Sequence, residues 1–254
     1  MPATIDINAD LGEGVGTSRL AEDERILDFI SSANIACGFH AGDATSMRET
    51  VRAARDRRVA IGAHPSYPDV PGFGRRELGL DAREIARHVG TQVSALSDVC
   101  HAERARLMYV KPHGALYNRA AHDPRAARAV ADAIRGIDRD LILLGLAGSE
   151  MMRAALRAGI PFASEAFVDR AYTSGLLLVP RDQPGALIDD VGGAVRRAIA
   201  IVQQRTVKTV DGVELPLDAV SLCVHGDNPN ALSILRELKS GLESAGVRIA
   251  PFVS

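Results

Sequence analysis

Ionisable side chains recur at the ends of six short apolar runs. Asp6, Asn8 and Asp10 punctuate residues 5–10, His40 ends 35–40, and His64 ends 61–64. Lys111 and His113 end 109–113, Glu165 ends 161–165, and His225 and Asp227 end 222–227. Imidazoles, carboxylates and an ammonium gathered in one place can transfer protons and stabilise developing charge. Strand spacing gives these groups a direction, because residues two apart face the same side. Asp6, Asn8 and Asp10 therefore share a side, as do Lys111 with His113 and His225 with Asp227. If Ile5, Ile7, Val110 and Val224 pack against helices, the polar set converges inward at one mouth. A lysine among buried carboxylates either pairs with them or has a pKa suited to proton transfer, and a place at a mouth favours the second.

Each group also has a plainer reading. Asp6 or Asn8 alone could hold a neighbouring loop. His88, His101 and His122 fall in helical patterns or beside turns and read as surface residues. Cys37 and Cys223 sit in apolar strand runs and read as core packing. Gly12-Glu13-Gly14-Val15-Gly16-Thr17 fails as a dinucleotide fingerprint, since the third glycine falls at Thr17 and Glu13 would face a pyrophosphate. There is no phosphate loop of the G-x-x-x-x-G-K-[ST] type, no G-x-S-x-G elbow and no H-E-x-x-H helix. Histidine and aspartate are metal donors by type, but no tight ligand spacing singles out a site, so a metal stays open.

The elements that must position these groups alternate. Strands are expected at about 3–9, 32–37, 59–63, 107–111, 141–146, 160–164 and 219–225. Helical patterns occupy about 19–30, 46–57, 81–104, 123–135, 149–158, 184–204 and 230–245. Seven βα units predict an α/β protein built as a seven-stranded (β/α) TIM-like barrel, with 1–254 a single domain. The Gly/Pro-rich loop 70–77 reads as a lid, and 206–217, with Asp211-Gly212 between β-branched residues, reads as a small hairpin.

Composition bounds the partners. With 254 residues, 46% hydrophobic, 24% charged and a formal net charge of −2, nothing suggests nucleic acid or an anionic membrane. The apolar runs fall far short of the roughly 18 to 20 residues of a membrane span. Three cysteines without CxxC spacing argue against a disulfide framework. The N-terminus has no secretory pattern, so a cytoplasmic location is expected.

Seven blocks closely resemble the LamB/YcsF family, the A subunits of bacterial 5-oxoprolinase. They begin at Asp6, Asn34, Gly62, Gly72, Val110, Glu165 and Val224, and include Asn34-Ile35-Ala36-Cys37-Gly38-Phe39-His40 and Val110-Lys111-Pro112-His113-Gly114-Ala115-Leu116-Tyr117. The family often carries Cys where this chain has Ala9, so no thiol there is essential. The resemblance implies a barrel similar to those of polysaccharide deacetylases and some glycoside hydrolases. It further implies ATP-dependent opening of 5-oxo-L-proline to L-glutamate alongside subunits B and C, with ATP held together with those partners. Catalytic roles then fall to Asp10, His40, Lys111, His113, Glu165 and Asp169. Substrate contacts fall to Asp6, Asn8, His64, Arg75, Arg76, Arg170, Tyr172, His225 and Asp227. Two other readings are a metal-dependent amide hydrolase or deacetylase, against which Tyr117 stands where an H-x-x-x-H segment from His113 needs histidine, and a non-catalytic substrate-binding subunit.

Overall fold

Apolar runs and capped amphipathic helices alternate along the chain and close into a barrel. The computed structural model describes residues 3–188, 190–225 and 230–253, so Asp227 lies outside the described residues. In order, the elements are β1 (Thr4–Leu11), α1 (Leu20–Leu27), β2 (Ser32–Ala36), α2 (Ala44–Asp56), β3 (Ala60–His64), α3 (Ala82–Ala102), β4 (Leu107–Val110), α4 (Gly114–His122) and α5 (Pro124–Ile137). They continue with β5 (Ile142–Leu146), α6 (Glu150–Ala158), β6 (Phe162–Phe167), α7 (Val191–Gln204), β7 (Thr206–Lys208), β8 (Glu214–Pro216), β9 (Ser221–Val224), α8 (Ala231–Ser244) and β10 (Arg248–Ile249). The parallel order β1-β2-β3-β4-β5-β6-β9 closes through β9 against β1, giving a seven-stranded barrel. No helix among the described residues is long and apolar enough to cross a membrane.

Caps set where several helices begin. Asp43 accepts from the amides of Thr45 and Ser46, and Asp81 from that of Glu84, each completing a reciprocal capping box. Asp123 caps α5 with Pro124 at its first position. Along β1, Ile5, Ile7, Ala9 and Leu11 join the main apolar core, while Asp6, Asn8 and Asp10 are buried on the other side, inside the barrel. Tyr109, Leu144 and Ala163 form a separate cluster with Phe252 against them, the Tyr109 and Phe252 ring centroids lying 5.1 Å apart. The Tyr109 ring fits because position 62 is glycine, where a Cβ would lie 2.1 Å from its Cε2.

The elements depart from expectation in four places. Residues 114–122 form a separate helix, α4, ahead of the expected one, since Pro124 cannot continue it and starts α5 instead. The expected helix from 184 begins only at Val191, where Asp190 accepts from the amides of Gly192 and Gly193. Residues 168–188 fold back on themselves over the mouth through the bridges Arg170↔Leu187 and Tyr172↔Leu178. After α8, β10 pairs with the start of β1, the Ala250 amide donating to Ile5 at 3.0 Å. The hairpin 206–217 appears as β7 and β8. Loop 70–77 is pinned to the rim, with the Ala115 amide donating to the Gly74 carbonyl at 2.9 Å. A Cβ at Gly114 would lie 2.4 Å from that carbonyl oxygen.

Candidate active site

Lys111 follows β4 and projects into the barrel among four partners. Its Nζ lies 3.0 Å from Asn8 Oδ1, 3.0 Å from Glu165 Oε2, 3.0 Å from Cys223 Sγ and 3.5 Å from Asp10 Oδ1. Burial alone disfavours the ammonium, but Asp10, the Cys223 sulfur and Glu165 outweigh it and raise the Lys111 pKa well above the ordinary lysine value. Lys111 is thus a fixed cation, which corrects the expectation of a lysine tuned for proton transfer. Burial likewise opposes ionisation of Asp10, yet His64 and Lys111 hold its carboxyl well below the usual range.

Below this pair runs a polar ladder. Asn34 Nδ2 donates to Asn8 Oδ1 at 2.7 Å and to Asp10 Oδ1 at 2.8 Å, and receives the Tyr109 hydroxyl on its Oδ1 at 2.8 Å. Asn8 Nδ2 donates to Ser221 Oγ at 2.7 Å. Deeper still, Asp6 accepts from Ser31 and Ser32, each at 2.6 Å, and from Ser221. Burial raises the Asp6 carboxyl to about 6 in spite of these hydroxyls. Asp6 and Asn8 therefore sit beneath the mouth and orient what lies above.

Histidines line the rim beside Asp10. His64 Nδ1 lies 2.8 Å from the Lys111 carbonyl oxygen, and His113 Nε2 lies 2.9 Å from that of Phe73. Their other nitrogens, His64 Nε2 and His113 Nδ1, face each other at 3.0 Å. His40 stacks on His113 with centroids 4.0 Å apart and an interplanar angle of 11°. Burial together with His64 pushes the His40 pKa down to about 3, and burial with His40 and His64 depresses His113 well below its ordinary value. On the opposite side His225 Nδ1 pairs with Asp169 Oδ1 at 3.0 Å, and that partner keeps the Asp169 carboxyl low against the effect of burial.

A cavity of about 390 Å³ opens above these groups. Asp10, His64, Lys111, His113 and His225 reach it from the strand ends, while Arg75, Arg170 and Arg181 form its cationic wall. Burial and the neighbouring Arg181 lower Arg170 to about 10. Four expected substrate contacts fall elsewhere, Asn8 among them, buried beneath the mouth with Asp6. Arg76 is an exposed partner of Asp69, Asp6 is sealed below, and Tyr172 accepts the Phe167 amide on its hydroxyl at 2.8 Å, fixing the end of β6. Asp169, Glu165 and His40 support the wall from behind.

The sequence profile of the LamB/YcsF family matches residues 5–254. The chain belongs to the LamB/YcsF family. Among members, the A subunit of 5-oxoprolinase from Streptomyces avermitilis is 48% identical over 248 residues, covering 98% of this chain and 99% of that protein. The crystal structure of a lactam utilization protein from Thermus thermophilus is 42% identical and superposes with a TM-score of 0.92, covering 98% of this chain and 100% of that one. The catalytic domain of a peptidoglycan N-acetylglucosamine deacetylase from Eubacterium rectale is 8% identical with a TM-score of 0.55, covering 100% of this chain and 90% of that one, and shares the barrel fold.

In this LamB/YcsF chain several residues outside the expected set complete the site. Cys223, read as core packing, faces Lys111, a placement its two-residue offset from His225 would have indicated. Glu13 turns inward, its Oε1 lying 3.9 Å from His40 Nε2 and 4.0 Å from His113 Nδ1. Tyr117 lines the cavity, and its buried hydroxyl lies beside the Glu165 carboxylate. Arg181 had no strand-end signal, because it arrives on the fold-back 168–188. Asp10, Glu13, His64 and His113 bring donor atoms within 4.8 Å of one another. Asp10 and Glu13 come from one segment and His64 and His113 from two others, so no short spacing announces the full set.

Proposed function

We propose that this chain takes 5-oxo-L-proline into the rim cavity and opens its lactam to L-glutamate, coupled to ATP hydrolysis with subunits B and C. The observation that carries the reading is the pairing of an arginine wall with a fixed Lys111–Asp10 pair beneath it in one small cavity. The substrate is a small carboxylate, and a guanidinium matches a carboxylate through two hydrogen bonds. Arg75, Arg170 and Arg181 receive that carboxylate, leaving the ring carbonyl over Lys111. The names of the similar proteins, an A subunit of 5-oxoprolinase and a lactam utilization protein, support the same ring chemistry.

A five-membered lactam is a poor electrophile. Transfer of a phosphoryl group from ATP to the lactam oxygen activates the ring carbon, and water adds to it. The tetrahedral adduct breaks its C–N bond as the ring nitrogen takes up a proton and leaves as the amine, and a second water hydrolyses the resulting acyl phosphate to L-glutamate and phosphate. Negative charge accumulates on oxygen in these steps, where Lys111 stabilises it. Asp10, ionised and lining the cavity, accepts the proton from water. His113 and His40 shape the rim, and Glu165 and Asp169 hold Lys111 and His225 in place.

The test is to incubate the chain alone, and then with subunits B and C, with 5-oxo-L-proline and ATP while following glutamate and ADP. The expected result is ligand-dependent thermal stabilisation without turnover for the chain alone, and ATP-coupled glutamate release once the partners are added. Rapid ATP-independent glutamate release by the isolated chain would overturn the proposal.

A further inference from the structure

The two rim imidazoles pose a problem of proton bookkeeping. A carbonyl oxygen only accepts hydrogen bonds, so His64 Nδ1, 2.8 Å from the Lys111 carbonyl, carries the hydrogen, and so does His113 Nε2, 2.9 Å from the Phe73 carbonyl. Metal ligation takes both rings neutral, and in that form the remaining nitrogens, His64 Nε2 and His113 Nδ1, are lone pairs that point at each other across 3.0 Å. Asp10 Oδ1 lies 3.3 Å from the first and Glu13 Oε1 4.0 Å from the second, so two anionic oxygens join two lone pairs around one point. The two facing lone pairs repel each other unless a cation or a proton sits between them, and the oxygens of Asp10, which also accepts from Asn34 Nδ2 at 2.8 Å, and Glu13 add negative charge beside them.

The three closest donors are spaced for a metal ion, and Glu13, 4.0 Å from His113 Nδ1, would have to draw in to join them. Two ligands each about 2.0–2.1 Å from a Zn²⁺ ion and subtending about 90–110° lie roughly 2.9–3.4 Å apart, the range into which the His64–His113 and His64–Asp10 separations fall. Both orienting carbonyls are of the kind that fix the tautomer of a ligating histidine. An independent observation points to the same place. His40 is buried with neither ring nitrogen hydrogen-bonded among the described residues, and its Nε2 lies 3.9 Å from the Glu13 oxygen that flanks His113. This leaves a third bare imidazole at the margin of the cluster.

We infer that Asp10, Glu13, His64 and His113 form a binding site for one first-row divalent cation of the Zn²⁺ type, open toward the rim cavity. Imidazole and carboxylate donors together favour such ions over Mg²⁺ or Ca²⁺. Asp10, His64 and His113 also line the cavity, so the ion would face a bound ligand and could act as a Lewis acid toward a carbonyl oxygen. The inference rests on ring nitrogens and carboxylates alone and stands whether or not the ligand is 5-oxo-L-proline.

The test uses the full chain, stripped with a chelator and titrated with Co²⁺ alone. Expected are one equivalent bound with visible d–d absorption, competed by Zn²⁺, and a raised melting temperature. His113→Gln and Asp10→Asn should each weaken binding by at least about 100-fold, while the surface control His122→Gln should bind as the parent does. Circular dichroism checks that each variant is folded. If either variant at these two positions is not folded, Glu13→Gln at the edge of the cluster carries the comparison and should also bind more weakly. Absence of stoichiometric binding, the result expected if a shared proton bridges the two rings, would overturn the inference. So would binding that is unchanged in all the site variants.

Discussion

Lys111 Nζ lies 3.0 Å from Glu165 Oε2, with both side chains sealed from solvent: 2% and 0% exposed. The Lys111 charge is tolerated inside the barrel because Glu165 and Asp10 face it, and each carboxylate because Lys111 does.

Lys111→Met should therefore do more than stop turnover. Removing the ammonium leaves Asp10 and Glu165 as unpaired buried carboxylates, which typically costs about 3–5 kcal/mol. Urea unfolding at neutral pH should show a loss of that size, and the assembled complex should lose activity. Unchanged stability or a near-normal rate would remove Lys111 from both roles.

Asp6 should give the protein a pH-dependent handicap. Burial raises its folded pKa to about 6 from 3.8, so between those values the folded state keeps a proton that the unfolded chain releases. Stability contributed by this group is then highest below pH 3.8 and falls as pH rises through 6, by about 3 kcal/mol. Asp6→Asn should lack the effect, so its stability relative to the parent should climb across that window. Parallel unfolding-versus-pH curves for the two proteins would refute it.

Gly62→Ala should strain the barrel. Its Cβ would lie 2.1 Å from Tyr109 Cε2 and 2.2 Å from Cζ, and the ring is held by the hydroxyl bond to Asn34. The ring is fully buried, so a loss of about 1–3 kcal/mol is expected in thermal or urea unfolding. A variant as stable as the parent would mean the ring can move aside.

Arg181→Gln should separate binding from chemistry. It removes one cation from the cavity wall without touching the Lys111–Asp10 pair. Loss of a charge-assisted hydrogen bond of about 1.5–3 kcal/mol corresponds to roughly a 10- to 100-fold rise in KM for 5-oxo-L-proline. kcat should change much less, and a fall confined to kcat would assign Arg181 to the chemical step instead.

Most of the strand-end groups could be read from the chain, because their signal is local. An apolar run that stops at Asp10, His64 or Lys111 is a buried strand reaching the mouth, and two-residue periodicity assigns the inner face to Asn8 with Asp10 and to Cys223 with His225. The sequence by itself determined the seven-stranded architecture, the hairpin at 206–217 and the family. Tertiary structure alone decided which of those groups meet. Glu13, His64 and His113 converge from a loop and two different strand ends, so no spacing within one segment encodes their 4.8 Å cluster. Arg76 and Arg181 traded places with respect to expectation: Asp69 holds the first outside, while the fold-back 168–188 carries the second in. The direction of the Lys111 shift also waited on the fold, because burial and paired carboxylates push a lysine in opposite directions, and only the distances to Asp10 and Glu165 say which wins.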